Sequence, residues 1–246
     1  MLTRDARHLA LSQVGSDGQQ RIAAGNVLLI GAGGIGCAVA TYLVSSGLGN
    51  LKIADFDTID VSNLGRQVLY SPDDVGKLKV EVAAKRLSEL NPDVRITPIS
   101  KRLQGEALTG EVGSSDLVLD GSDNFSTRFL VNDACVSTGR RLISGSAIRL
   151  EGQMAVFGPD FDTTPCYRCL YTEADESMDS CAGNGVLSPV PGVIGTMMAV
   201  ETLKYFSGIE SDTSALHLYD ATATAFQALR IQKRDNCPSC ASRGVA

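Results

Sequence analysis

Four cysteines fall in two matched pairs, Cys166-x-x-Cys169 and Cys237-x-x-Cys240, and a glycine-rich run, Gly31-Ala32-Gly33-Gly34-Ile35-Gly36, lies near the start of the chain. Two pairs at that spacing can supply four thiolates to one tetrahedral zinc, and four protein ligands leave no open coordination position for catalysis. The spacing therefore predicts a structural zinc site at Cys166, Cys169, Cys237 and Cys240. The chain has seven cysteines, an odd number that disfavours a disulfide framework. Cys37 and Cys135 fall inside predicted helices and read as small buried apolar residues. Cys181 lies in the polar stretch Asp179-Ser180-Cys181-Ala182-Gly183, where a thiol can be reached, while Asp175, Glu176 and Asp179 disfavour its thiolate.

Glycines between a strand and a helix permit a tight turn and let backbone N–H groups approach a phosphate, while the helix N-terminus adds partial positive charge. Gly31, Gly33, Gly34 and Gly36 are in that position. Asp55 follows 19 residues beyond Gly36 at the tip of the next strand, where a carboxylate can accept from ribose hydroxyls. Nucleotide binding is expected, with the nucleotide left open. No Gly-x-x-x-x-Gly-Lys-Ser/Thr run occurs, which excludes a P-loop NTPase.

The elements that must position these residues follow from apolar periodicity. Residues 27–30, 51–54, 94–99 and 117–119 read as strands, and 37–44, a segment opening at Ser71-Pro72 and ending at Asn91, and a segment from Asn124 read as helices. This alternation predicts an α/β fold with a Rossmann-like, doubly wound parallel sheet in the N-terminal half. Beyond about Leu142 the rhythm changes to antiparallel strands at 150–157, 216–219 and 226–231, with one long helix at 192–206. The 246 residues suffice for one domain, a nucleotide-binding half at 1–145 and a second half at 146–246. A net charge of -6 disfavours nucleic acid as a partner, and no segment is long and apolar enough to span a bilayer or serve as a leader. A cytoplasmic protein is expected.

Between the second strand and the next helix runs Asp55-Phe56-Asp57-Thr58-Ile59-Asp60-Val61-Ser62-Asn63-Leu64-Gly65-Arg66-Gln67. Together with the glycine run, Lys79, Ser122-Asp123-Asn124 and the cysteine pairs, this segment resembles the ThiF/MoeB/HesA family of sulfur-carrier adenylyltransferases, relatives of the ubiquitin-activating enzymes. The resemblance covers nearly the whole chain. It implies binding of Mg-ATP and of a small ubiquitin-like sulfur-carrier protein whose free C-terminal Gly-Gly carboxylate attacks the α-phosphorus, giving an acyl-adenylate and pyrophosphate. By the same resemblance Arg66 and Lys79 are phosphate-binding cations and Asp123 is the Mg2+-associated acid. Asp55 would hold ribose, and Asp57, Ser62, Asn63, Gln67 and Asn124 would complete the polar lining. Arg7 matches an arginine supplied to the partner's ATP across a dimer interface, so a homodimer is implied. Cys181 falls at the cysteine that some members link covalently to the activated carrier. Residues 203–210 and the short tail favour the thiamine branch over the molybdopterin branch, and with no room for a sulfurtransferase domain the sulfur donor would be a separate protein.

Gly65 departs from the glutamine common in the family, and Gly121-Ser122 from its Cys-Thr; neither change removes a charge. An NAD-dependent oxidoreductase would account for the glycines and Asp55, but not for the cysteine pairs or for Arg66, Lys79 and Asp123. A non-catalytic scaffold that binds a ubiquitin-like partner would have no need of those cations.

Overall fold

In this computed structural model, residues 4–172 and 185–241 are described. The elements run α1 (Ala6–Leu9), α2 (Gly15–Ala24), β1 (Asn26–Ile30), α3 (Gly34–Ser45), β2 (Asn50–Ala54), α4 (Lys79–Leu90), β3 (Arg95–Ile99), α5 (Gly105–Gly113) and β4 (Leu117–Asp120). They continue with α6 (Phe125–Thr138), β5 (Arg141–Ile148), β6 (Glu151–Phe157), α7 (Tyr167–Leu170), α8 (Pro189–Ser207), β7 (Ala215–Asp220) and β8 (Ala225–Arg230). One eight-stranded sheet in the order β3-β2-β1-β4-β5-β6-β7-β8 joins both halves of the chain. β1 to β5 pair in parallel, and β5 through β8 pair antiparallel.

Strand β1 is apolar on both sides because both faces of the sheet are covered. Val27 and Leu29 pack with residues of α3, α4 and α8, whereas Leu28 and Ile30 pack with residues of α5 and α6. α3 lies directly on α8, and the approach depends on a missing side chain: a Cβ on Gly195 would stand 2.5 Å from the Ile35 carbonyl oxygen. The C-terminus of α8 ends at Gly208 in the left-handed region, and Arg21 of α2 donates to the Phe206 and Ser207 carbonyls at 2.7 and 2.8 Å. The basic side chain thus satisfies acceptors that the ended helix leaves open.

Three expectations are corrected here. The helix expected from Ser71-Pro72 is a 3₁₀ turn at Pro72–Asp74, closed by a capping box between Ser71 and Asp74. Gly76 at φ +85° then redirects the chain, so α4 starts only at Lys79. The antiparallel half begins earlier than residue 150. β5 is parallel to β4 and antiparallel to β6, and its Ser144-Gly145-Ser146 interior breaks the apolar pattern because a Cβ at Gly145 would meet the Met198 sulfur at 2.4 Å. The long helix starts at Pro189, one turn before Gly192. Helices α2 and α5 were not among the expected elements; α5 contains three glycines, which weaken a helix.

Candidate active site

The strand order reverses between β1 and β4, and the loops leaving these two strands splay apart to open a crevice. A cleft of about 410 Å³ occupies it, within the range of small-molecule sites. Its walls include Gly31, Gly33, Gly34, Asp55, Asp57, Arg66, Gln67, Lys79, Asp123 and Asn124.

The glycine loop forms the turn between β1 and α3. Gly31 sits at φ +92°, a region costly for side chains, and an added Cβ would be 3.0 Å from the Gly121 carbonyl oxygen. Gly36 has a packing role, since a Cβ there would lie 1.9 Å from the Gly31 oxygen. The first N–H groups of α3 have no intrahelical acceptor and are at the wall of the cleft. The Asp55 carboxylate accepts from the N–H groups of Ala32 and Asp57 at 2.8 and 2.9 Å. Burial raises its pKa above the ordinary carboxylate value, opposed by these two bonds and by the charge of Lys79.

Lys79 opens α4 with its side chain buried, and its ammonium pairs with Asp57 at 3.0 Å. Its backbone N–H also donates to the Asp57 carbonyl, which ties the start of α4 to the loop leaving β2. Arg66 donates to the Ser62 carbonyl at 2.9 Å. Ser62 and Asn63 themselves do not line the cleft: Asn63 caps the turn at Val61–Asn63 by accepting from the Asp60 N–H. On the opposite wall Asn124 caps α6 by accepting from Thr127 N–H at 2.9 Å, and its amide reaches Asp123 at 3.2 Å. Arg7 lies exposed on α1 and does not line the cleft of its own chain. Cys181 lies outside the described residues.

Sequence reasoning missed Arg128. It is buried on the first turns of α6, lines the cleft and donates through Nε and Nη2 to the Ser122 carbonyl at 3.2 and 2.8 Å. Its place four residues after the Asn124 cap was the available signal. Beneath it Asp120 is fully buried, and burial raises its pKa against the pull of Arg128. Also missed was the pair at the cleft mouth, the Arg102 guanidinium 4.2 Å over the Phe56 ring. Buried Gln67 Oε1 and Ser122 Oγ in the cleft walls have no partner among the described residues, which suits a polar ligand.

The four paired cysteines converge far along the chain from these loops. Their sulfurs all lie within 4.8 Å of one another, with Cys166 to Cys237 and Cys169 to Cys240 at 3.5 Å. Tetrahedral zinc–thiolate bonds of about 2.3 Å place sulfurs roughly 3.8 Å apart, so this donor set fits zinc. Fixed N–H groups surround it: Asn132 Nδ2 is 3.7 Å from the Cys166 sulfur and the Arg234 backbone N–H 3.4 Å from that of Cys169. Cys37 and Cys135 are buried in α3 and α6, as expected of structural thiols, and burial pushes Cys37 up to about 11. Among the described residues no helix is long and apolar enough to cross a membrane.

A doubly wound sheet with a glycine loop at its switch point, cations lining the adjoining cleft and a four-cysteine cluster that suits zinc defines a Rossmann-like α/β protein. The chain belongs to the ThiF family, whose profile matches residues 6–239. It is 40% identical over 237 residues to the sulfur carrier protein ThiS adenylyltransferase of Escherichia coli, covering 96% of this chain and 94% of that protein. To the molybdopterin-synthase adenylyltransferase of E. coli it is 39% identical over 240 residues, covering 97% and 96%. A crystal structure of E. coli MccB with ATP shares the fold, with a TM-score of 0.83 at 23% identity, over 98% of this chain and 74% of that one.

Proposed function

We propose that this enzyme uses ATP to adenylate the C-terminal Gly-Gly carboxylate of a small ubiquitin-like sulfur-carrier protein, in preparation for thiocarboxylate formation. The observation that carries this reading is the convergence of Arg66, Lys79 and Asp123 with the glycine loop around one cleft. A carboxylate is already ionised at neutral pH, so the reaction needs no general base. It needs two anions held together and the charge on the α-phosphorus stabilised, which fixed cations supply. Arg66 and Lys79 would draw charge from the phosphate oxygens as pyrophosphate leaves, and Asp55 would orient the ribose. Asp123 would hold Mg2+, which when bound neutralises phosphate charge.

The nucleotide-binding half is residues 1–145, and the half at 146–246 receives the carrier and holds zinc. A homodimer would place Arg7 at the partner's nucleotide, and a separate protein would deliver sulfur. The thiamine-type pathway is the favoured branch; the similar identity to the molybdopterin relative supports that branch as the second reading. A cytoplasmic location agrees with both.

ATP–pyrophosphate exchange tests the activity. Exchange is expected only with a carrier ending in free Gly-Gly, and a nicotinamide coenzyme binding in place of ATP would sink the reading. Cys181→Ala is expected to keep full exchange and lose covalent capture of the carrier in a sulfur-transfer assay. A variant unable to form the adenylate would remove Cys181 from that late role.

A further inference from the structure

Two elements of the cleft that face phosphates meet at one buried hydroxyl. Tyr70 ends the segment that carries Arg66 and Gln67, and its O–H donates to the Ala32 carbonyl in the glycine loop at 2.8 Å. The segment is internally stitched, since Tyr70 N–H donates to the Gln67 carbonyl and Gln67 N–H to the Asn63 carbonyl. The Ala32 residue is held from both ends: its N–H is taken by Asp55 and its carbonyl by Tyr70, with the Cys37 thiol 3.5 Å away as a weaker second donor. Its neighbours Gly33 and Gly34 form the cleft wall, and a Cβ on Gly34 would be 3.3 Å from the Arg66 carbonyl. The loop and the Arg66 segment are therefore in near contact, and the phenol is the side-chain clamp between them. Tyr70 is buried, and burial together with the neighbouring Cys37 and Asp55 keeps its pKa well above the ordinary phenol value, so it stays a donor.

We infer that Tyr70 is a positioning residue for the nucleotide: its hydroxyl locks the peptide at Ala32 and the Arg66 segment into the arrangement that receives phosphates, without touching the ligand. This rests on the ATP reading above. Without the hydroxyl, the loop peptide retains only the thiol as donor and can rotate, so the helix N–H groups and the Arg66 segment lose their common reference.

Tyr70→Phe removes one oxygen and keeps the ring. Titration of the purified protein with Mg-ATP by calorimetry, without carrier, is expected to show roughly 3- to 10-fold weaker binding, the equivalent of one neutral hydrogen bond. In exchange assays the KM for ATP is expected to rise by the same factor, with kcat at saturating ATP and the KM for carrier within about twofold of wild type. Binding by Tyr70→Phe within twofold of wild type overturns the inference, as does a lowered thermal midpoint with unchanged ATP affinity. If the wild-type protein itself fails to bind Mg-ATP, the nucleotide reading falls and takes this inference with it, an outcome distinct from a variant that matches a binding wild type.

Discussion

Lys79→Ala is expected to lower ATP–pyrophosphate exchange by roughly 100- to 1000-fold, the scale seen when one fixed group that stabilises developing charge is removed. The fold should survive. Lys79 is the first residue of α4, where alanine is a better helix former than lysine, and among the described residues its ion pair is with Asp57, which is half exposed and can be hydrated when left alone. The lost term is therefore catalytic rather than structural, because a buried ammonium at the cleft wall cannot be replaced by a mobile solvent ion at equal strength. A second effect follows from the same charge. Lys79 pulls the Asp55 pKa down against burial, so its removal raises that pKa further and moves the acid limb of ATP binding to higher pH. Exchange within threefold of wild type, with circular dichroism unchanged, would remove Lys79 from the mechanism.

Metal removal is expected to be the largest stability change available to this chain. Cys166→Ser, or exhaustive chelation, should lower the thermal midpoint by about 10 °C or more. A loss of roughly 4 kcal/mol suffices at about 2–4 °C per kcal/mol for a chain of this size. Zinc in isolated finger peptides contributes about 10–16 kcal/mol, an upper bound here because α6 and the sheet hold part of the site without it. The reach of the effect is set by what the knuckle holds. Asn132 on α6 accepts from the Tyr167 N–H at 2.8 Å while its amide approaches the Cys166 sulfur. Next to it Asp133 forms an ion pair with Arg168 at 2.9 Å and accepts from Ser239. Both ends of the metal site therefore anchor the helix whose first turns carry Asn124, Thr127 and Arg128 into the cleft. Calorimetry with metal analysis on the same sample is the check, and a midpoint shift under about 3 °C on complete metal loss would show that the knuckle closes without its ion.

Much of the candidate site was legible because its signals are local. A glycine run after an apolar strand, an acid at the end of the next strand and paired cysteines each depend on a few neighbouring residues, so their types and spacing survive in the sequence alone. Arg66, Lys79 and Asp123 were legible only as members of an ordered set, since an isolated arginine or aspartate reads equally well as a hydrated charge or a cap. Asn124 shows why: it is a helix cap by its bond to Thr127 and a cleft-wall residue at once. Strand β5 was partly missed because its Gly145 is placed for α8, an element about 50 residues later, and not for the strand itself.

By itself, the order of residues determined the parallel N-terminal half of the sheet, the glycine turn and which four cysteines cluster, all consequences of short-range backbone and side-chain chemistry. The tertiary structure alone decided which of the remaining polar groups meet. Tyr70 reaches Ala32 across 38 positions, and Asn132 reaches Cys166 across 34. Arg128 donates to the Ser122 carbonyl of the β4 loop, and Ser62 and Asn63 are not among the residues lining the cleft. Such contacts depend on how two helix layers close over one twisted sheet, and that closure is a sum over many distant apolar contacts that no local spacing encodes.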